Sequence, residues 1–323
     1  MTVMSDLANP IFYDEDKARE WLEARLWPDG PVCPHCGVVN EATLMRGKTT
    51  RPGLYQCNAC RQPFTVTVGT LYERSHIPLN KWLMATHLMM ASKKGMSALQ
   101  LHRMLGVTKK TAWFMAHRIR ESLREAKPSP LGGANKVVEV DETYVGGKEA
   151  NKHAWKRQAG MCGGKGKEAV VALVERDGKV HSHHVANVDG ENLRPILKEQ
   201  IDAATYIMSD DSPIYPPITG DFAGHGTVNH SIEEYVRGGW WYTNNAENYF
   251  SIFKRGIIGV YHHVSPAHLR RYLGEFDFRY NEREKLGVND AERMAKSIPG
   301  IVGKRLTYRR TRSAPQGQQA LQN

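Results

Sequence analysis

Two pairs of cysteines, each in a CxxC motif, restrict the fold more than any other feature of the sequence. Cys33 and Cys36 lie in CPHCG, and Cys57 and Cys60 lie in CNACR. Four thiolates at this spacing can close a tetrahedral site around one Zn²⁺ ion, and a zinc ribbon is the usual fold for such a pair of motifs. We predict a structural, non-catalytic zinc ribbon over residues 29–73. Redox-active or vestigial cysteines are the alternative.

The charge of the chain points to a nucleic-acid partner. The 323 residues carry a formal net charge of +10, which favours a polyanion, and they are enough for two or three domains. No apolar run approaches the roughly 20 residues that a membrane-spanning helix needs. The polar N-terminus does not resemble a signal peptide, and four paired cysteines suit a reducing compartment. We therefore expect a cytoplasmic, DNA-associated protein without a membrane partner.

A basic helical region follows the cysteine motifs. Residues 1–28 are expected to form a helical segment, and residues 74–128 to form a helix-turn-helix-like domain. Thr108 caps the last helix of that domain, which would enter the major groove of DNA. A plain helical bundle with a solvated basic face is the alternative. The candidate phosphate and base contacts on this helix are Lys109, Lys110, His117, Arg118, Arg120 and Arg124.

The pattern changes to strands after the linker-like SPLGGAN. The predicted elements are strands at 137–141, 169–176 and 179–185, a helix at 192–201, a strand at 205–210, a helix that Thr243 or Asn244 caps, and a helix at 265–283. This order matches a ribonuclease-H-like mixed α/β core, predicted over residues 134–285. The chain as a whole is thus expected to be a multidomain α/β protein.

Three carboxylates occupy the positions that meet in such a core. Asp141 ends the first strand, Asp210 ends the fourth, and Glu247 starts the late helix, with Lys254 on the same helical face. Carboxylate oxygens are the ligands of hard cations, so we predict a site for two Mg²⁺ or Mn²⁺ ions. A structural alternative is that Asn244 and Glu247 form a capping box and that Lys254 is a solvated charge.

Neighbouring acidic residues compete for these roles. Asp211 adjoins Asp210 and is the alternative ligand there. In a strand, Glu139 faces the same side as Asp141, whereas Glu142 points to the other side. These three acidic residues stay open as rivals at the level of the sequence.

Several long segments together resemble an insertion-sequence DDE transposase of the group with a zinc ribbon and helix-turn-helix before a ribonuclease-H-like domain. They are CPHCG with CNAC, VDETYVGGKEANKH, SDDSPIY, HGTVNHSIEEYVRG and TNNAENYFSIFKRGIIGVYHHVSPAHLRRYLGEFDFRYN, within residues 30–283. The resemblance implies that Asp141, Asp210 and Glu247 take the DDE positions and Lys254 the accompanying basic position. It also keeps Asn244 as an alternative or auxiliary third ligand, although Asn245 departs mildly from the usual Thr-Asn-Thr pattern.

The resemblance further implies an activity and partners. The protein would bind the terminal inverted repeats of an insertion sequence, cleave DNA with two metal ions and transfer the strand to target DNA. Double-stranded DNA would be its partner, and a homodimer or larger assembly would hold two ends. The alternatives are a catalytically inactive transposase-derived DNA-binding protein, and a nuclease or resolvase of the same fold without strand transfer.

Further candidates surround this site. His225 and His230 are candidates to orient a phosphate or water, although a histidine hydrogen-bonded within a loop is the structural alternative. Residues 286–323 are predicted to be a basic, largely disordered tail, either a phosphate-binding arm or a solubilising end. The remaining candidate DNA contacts are Lys148, Lys152 and Arg255.

Overall fold

The structure is a computed structural model, and it describes residues 6–147, 149–157, 164–228 and 242–307. The zinc ribbon predicted from the cysteines is confirmed as a small antiparallel sheet. Its strands are β1 (Ala42–Leu44), β2 (Tyr55–Cys57) and β3 (Pro63–Phe64), in that spatial order. Trp27 packs edge-on against Phe64 at 5.7 Å between ring centroids, which gives the ribbon a small core of its own.

Four α-helices precede the linker in the described residues, and three of them begin at a side-chain cap. They are α1 (Glu15–Leu26), α2 (Leu79–Ala91), α3 (Ala98–Leu105) and α4 (Lys109–Ser122). Asp14, Ser97 and Thr108 accept hydrogen bonds from the first-turn amides of α1, α3 and α4 respectively. Gly106 ends α3 with φ of 62°, and this left-handed residue lets the chain turn directly into α4.

The C-terminal region departs from the predicted tail. Helix α8 (Asp290–Ser297) opens with a capping box formed by Asn289 and Glu292. Met294, Ile298 and Ile301 are buried in the same core as α1 to α4. The prediction of a largely disordered tail from residue 286 is therefore wrong for this stretch, because its apolar side chains complete the helical core. Residues 308–323 lie outside the described part of the chain.

The second half contains a five-stranded mixed sheet. Its strands are β4 (Val137–Val145), β5 (Glu168–Glu175), β6 (Val180–Val185), β7 (Tyr206–Asp210) and β8 (Gly224–Val228), in the order β6-β5-β4-β7-β8. β5 is antiparallel to β4 and β6, whereas β7 is parallel to β4 and β8. This topology confirms the ribonuclease-H-like core. The sequence did not predict β8, and β4 continues beyond Asp141 to Val145.

Helices cover both faces of this sheet. They are α5 (Gly190–Gln200), α6 (Asn244–Gly256) and α7 (Pro266–Asn281). Val138 and Val140 of β4 share a buried cluster with α5, whereas Val170 and Ala172 of β5 pack with α6 and α7. Side chains alternate along a strand, and Asp141 pairs with Ala172, so Asp141 lies on the α6 side of the sheet.

The edge strand β6 is closed by side chains of α7. Asn281 accepts a hydrogen bond from the Val180 amide at 2.7 Å, and Asp277 accepts one from the Ser182 amide at 3.0 Å. These backbone groups would otherwise be free to pair with another strand. The contacts therefore protect the sheet edge and fix α7 along it.

A buried carboxylate joins the helical region to the domain that contains the five-stranded sheet. Glu275 of α7 is 0% exposed and accepts a hydrogen bond from Arg120 of α4 at 2.6 Å. Arg279 pairs with the same carboxylate, and the Tyr261 hydroxyl donates to it at 2.7 Å. Burial alone would raise the pKa of Glu275, but the charges of Arg279 and Arg120 hold that pKa below its usual value.

We expect Glu275→Gln to destabilise the protein by about 3–5 kcal/mol, because the change leaves two guanidinium groups without their buried counter-charge. Denaturant unfolding followed by circular dichroism measures this loss. The control is Asp177→Asn, which removes the exposed ion pair with Lys285 and should leave the midpoint near that of the wild type. Equal midpoints for the two variants would show that Glu275 does not link the domains energetically.

A buried histidine gives the same interface a pH dependence. His117 of α4 is 1% exposed, and neither ring nitrogen has a hydrogen-bond partner in the described part of the chain. Its ring packs against Trp113, His268 and Tyr272. Burial, reinforced by the positive charges of Arg120 and its neighbours, lowers the pKa of His117 to about 3.

We expect the stability advantage of His117→Phe over the wild type to grow as the pH falls. Above about pH 6.5 the imidazole is neutral in both states, but below it only the unfolded wild type takes up the proton. The difference in unfolding free energy should change by about 1 kcal/mol per pH unit between pH 6 and pH 4. Urea titrations across this range measure it. His263→Gln, at an exposed position, serves as the control, and parallel pH profiles for wild type and His117→Phe would contradict the expectation.

Candidate active site and metal centres

Two of the predicted acidic residues lie side by side on adjacent parallel strands. Glu139 of β4 pairs with Met208 of β7, and Asp141 and Asp210 each lie two residues further along. Neighbouring parallel strands are about 4.8 Å apart, so this register places the two aspartates side by side, at the C-terminal end of β7. Asp210 is half-buried and its Oδ1 accepts a hydrogen bond from the Ser212 amide at 3.2 Å.

Negative charge is concentrated around Asp141. Burial, together with the charges of Glu142, Asp210 and Glu247, raises the pKa of Asp141 to about 7, against a hydrogen bond from the Glu142 amide. The three predicted ligands are therefore close enough to repel one another. Crowded carboxylates of this kind are relieved by a cation, and oxygen donors suit Mg²⁺ or Mn²⁺.

Helix α6 presents the third acid on its exposed face. Glu247, Ser251 and Lys254 are all exposed there, as the helical spacing predicts. On the other face, Tyr249 and Phe253 are buried against the sheet and α7.

Gly256, on the buried face of α6, is required by packing. A Cβ atom at this position would lie 2.3 Å from the ring of Phe276 and 2.6 Å from the Lys94 carbonyl oxygen. Helix α6 can therefore approach α7 this closely only with glycine there.

The start of α6 is capped from the sheet. Thr243 is the N-cap residue, but its side chain makes no capping hydrogen bond to the helix. Instead the carboxylate of Glu139 accepts hydrogen bonds from the amides of Asn245 at 2.8 Å and Ala246 at 3.1 Å, and from Asn245 Nδ2 at 2.8 Å. The alternative of a local capping box between Asn244 and Glu247 is therefore wrong, because Asn244 is already the first helical residue.

Arg176 completes this anchor and was missed at the level of the sequence. Its Nε donates to Glu139 Oε1 at 2.9 Å, and its Nη2 donates to the Tyr242 carbonyl at 2.9 Å. The guanidinium also lies 3.6 Å above the centre of the Tyr242 ring. The available signal was an acidic residue at the inward-facing position two residues before Asp141, which in a buried strand requires a partner.

A second acidic residue near the site has a different partner. Glu142 lies on the opposite face of β4 from Asp141, as strand alternation predicts, and accepts a hydrogen bond from the buried Tyr215 hydroxyl. Burial raises the pKa of Glu142, and the charge of Asp210 raises it further. Asp211 is exposed, whereas Asp210 is half-buried and its charge raises the pKa of Asp141. These observations support Asp210 over Asp211 as the ligand.

The auxiliary candidates are only partly described. His225 lies in β8 and not in a loop, with its Nε2 2.9 Å from Ser209 Oγ, and burial lowers its pKa. It is therefore held next to the end of β7. His230 lies outside the described residues, as does Lys148.

The predicted basic face of α4 is shorter than expected. Lys109 and Lys110 are exposed at its first turn. Arg120 is 2% exposed in its ion pair with Glu275, so its prediction as a DNA contact is wrong. Arg118 is half-buried and donates to the Leu306 carbonyl at 3.2 Å, which leaves it only partly available. The sequence could not distinguish these arginines, because both the DNA face and the domain interface attract basic side chains.

Two other basic candidates are exposed. Lys152 lies in the short segment after β4, and Arg255 follows Lys254 at the end of α6. Arg255 donates from Nη2 to Ser251 Oγ at 3.0 Å, a contact that a phosphate could replace. None of the described helices is long and apolar enough to cross a membrane.

The four cysteines form a compact metal centre. Their sulfur atoms all lie within 4.8 Å of one another, with 3.6 Å between Cys33 and Cys60 and between Cys36 and Cys57. Tetrahedral zinc with bonds of about 2.3 Å separates its sulfurs by roughly 3.8 Å, so the group fits zinc. In the described residues this is the tightest group of potential ligands, and the three carboxylates are spread more widely.

Comparisons with known proteins agree with this architecture. Residues 130–281 match the ISXO2-like transposase domain, and residues 13–63 match the transposase zinc-ribbon domain of the same IS1595 group. The chain is 27% identical over 286 residues to an uncharacterized protein in transposable element ISH50 of Halobacterium salinarum. The aligned region covers 85% of this chain and 94% of that protein.

A solved structure shows a much weaker likeness. It is the cryo-EM structure of a simian T-cell lymphotropic virus intasome in complex with the PP2A regulatory subunit B56 gamma. The match has a TM-score of 0.28 and 14% identity, and it covers 55% of this chain and 63% of that chain. Likeness at this level carries no argument about function. The family is identified by the two domain matches, with which the zinc-ribbon and ribonuclease-H-like folds agree. The chain belongs to the ISXO2-like (IS1595) DDE transposases with an N-terminal zinc ribbon.

Proposed function

We propose that this protein binds the terminal inverted repeats of an insertion sequence and catalyses DNA cleavage and strand transfer. The observation that carries the proposal is the convergence of Asp141, Asp210 and Glu247 from β4, β7 and α6 at one edge of a ribonuclease-H-like sheet. Membership of a transposase family supports DNA as the substrate.

The three carboxylates would hold two Mg²⁺ or Mn²⁺ ions. Bound there, the ions supply activation of the attacking oxygen and neutralisation of charge on the leaving oxygen. Asp141 and Asp210 come from a rigid sheet, whereas Glu247 comes from a helix and brings Lys254 with it. Lys254 lies on the same exposed face and is suited to hold a DNA phosphate. Because burial raises the pKa of Asp141, ion binding should release a proton from it near neutral pH.

The remaining basic residues would deliver DNA to this edge. Lys109 and Lys110 begin the last helix of the helix-turn-helix-like region, and Lys152 and Arg255 belong to the catalytic domain. Lys148 extends this set from outside the described residues. Two transposon ends must be joined, so we propose a homodimer or larger assembly on DNA, acting in the cytoplasm. The presence of all three acids and Lys254 disfavours an inactive DNA-binding derivative.

We expect Asp141→Asn, Asp210→Asn and Glu247→Gln each to reduce strand transfer at least about 100-fold, equivalent to about 2.7 kcal/mol of transition-state stabilisation. Each variant should still bind the end, because the isosteric change removes a metal ligand and no DNA contact. The assay uses purified protein, Mg²⁺, a duplex carrying the inverted repeat that flanks the gene, and a target plasmid.

Two controls separate the rival ligands. Asp211→Asn should remain active, and Asn244→Ala should lose less activity than Glu247→Gln. If the wild type binds the end but never cuts it, the inactive derivative is the better account. Cutting without joining would favour the nuclease or resolvase.

We expect the protein to bind one zinc ion per chain. The variant that combines Cys36→Ser with Cys60→Ser should bind none. Elemental analysis counts the metal, and limited proteolysis within residues 29–73 reports unfolding of the ribbon, since such small domains depend on the ion. End binding should be lost while the catalytic domain keeps its unfolding transition. Cys162→Ser is the control and should retain zinc; a wild-type protein folded without zinc would refute a structural role.

A further inference from the structure

We propose that Glu139 and Arg176 are positioning residues that set the distance between Glu247 and the two aspartates, and thereby the affinity of the catalytic site for metal. The inference rests on the proposed function. It assigns Glu139 no contact with metal or DNA. Its role is to fix the helix that carries the third ligand.

All the hydrogen-bonding capacity of Glu139 is used to hold α6 and Arg176. Its side chain is 0% exposed, and both oxygens are occupied by the amides of Asn245 and Ala246, by Asn245 Nδ2 and by Arg176. A carboxylate with these partners is not available as a metal ligand. Although it shares a strand face with Asp141, it is therefore a structural neighbour of the site and not a fourth member.

Helix α6 depends on this carboxylate for its first turn. The amides of Asn245 and Ala246 have no acceptor within the helix, and the first intrahelical bond here is from the Glu247 amide to the Thr243 carbonyl at 3.1 Å. An anion at a helix N-terminus also interacts favourably with the helix dipole. Glu139 thus supplies from β4 the cap that the Thr243 side chain does not provide.

The contact between Glu139 and α6 lies close to the candidate ligands along both elements. Glu139 precedes Asp141 by two residues on one strand, and Asn245 precedes Glu247 by two residues on the helix. The contact therefore joins the two ligand-bearing elements immediately beside the ligands. Arg176 extends it by holding the Tyr242 carbonyl, which fixes the chain entering α6. A shift of this junction would move Glu247 relative to Asp141 directly.

Charge supports the arrangement. The site gathers several carboxylates, and repulsion would push the first turn of α6 away from β4. Arg176, whose side chain is 12% exposed, places a positive charge between Glu139 and the helix entrance. The pair therefore holds together two acidic elements that would otherwise separate when no cation is bound.

The test compares wild type with Glu139→Gln, which keeps the size of the side chain but removes its charge and half of its acceptor capacity. Hydrogen exchange of the metal-free protein should show faster exchange at Asn245 and Ala246, and unchanged exchange in the last turn of α6. Electron paramagnetic resonance titration with Mn²⁺ should show affinity reduced by about 10-fold, as for other groups that orient metal ligands. The Mg²⁺ concentration for half-maximal strand transfer should rise by a similar factor, with end binding unchanged.

Two further variants separate positioning from general stability. Asp277→Asn removes a carboxylate that binds the same helix one turn later, through the Tyr249 hydroxyl at 2.6 Å, and it should leave Mn²⁺ affinity unchanged. If Glu139→Gln fails to fold, Glu139→Asp keeps the charge beside Arg176 but is too short to reach the α6 amides, and the same loss of Mn²⁺ affinity is expected.

The outcomes distinguish this inference from the proposed function. Wild-type exchange and wild-type Mn²⁺ affinity in the Glu139 variants would overturn the positioning role, even if the enzyme transfers strands. Equal losses of Mn²⁺ affinity in Glu139→Gln and Asp277→Asn would also overturn it, because they would reflect general destabilisation. A wild-type protein that neither cuts nor joins DNA would refute the proposed function, while the exchange measurement would still report on the anchor.

Discussion

Glu275 is buried between two arginines, and the relative arrangement of the helical and catalytic parts depends on this contact. Arg120 comes from α4, Arg279 and Glu275 come from α7, and Tyr261 comes from the π-helical turn directly after α6. Two positive charges around one carboxylate are costly to bury unless the geometry is fixed. The network therefore sets one position of α4 against α7, and the surrounding aromatic rings pack around it.

This contact and the Glu139 anchor hold α6 at its two ends. At the first turn, Glu139 binds the helix amides from β4, and after the last turn Tyr261 binds Glu275. Between them, the buried face of α6 packs on the sheet and α7, so its exposed face with Glu247 and Lys254 has a defined orientation. The same Glu275 contacts Arg120 of the helix that we propose to bind DNA. The helix proposed to bind DNA and the helix that carries Glu247 are thus connected through one buried carboxylate.

The distribution of charge explains how a basic protein can contain an acidic centre. The chain carries a net charge of +10, yet the charges of Asp210 and Glu247 act on Asp141, and burial raises the pKa of Asp141. In the fold, Arg176 and Arg120 neutralise buried structural carboxylates, whereas the crowded carboxylates around Asp141 repel one another.

The zinc ribbon, the order of most strands and helices, and the three acidic candidates could be predicted from the sequence alone. Local signals suffice for these features: CxxC spacing, alternation along β4, and the apolar stripe of α6 depend on residues near one another in the chain. Three features emerged only in the folded chain: Arg120 belongs to a buried ion pair, residues 290–301 complete the helical core, and Glu139 caps α6. Each of these depends on a partner that is distant in sequence, and a charged residue looks the same in the sequence whether it faces DNA, solvent or a buried counter-charge.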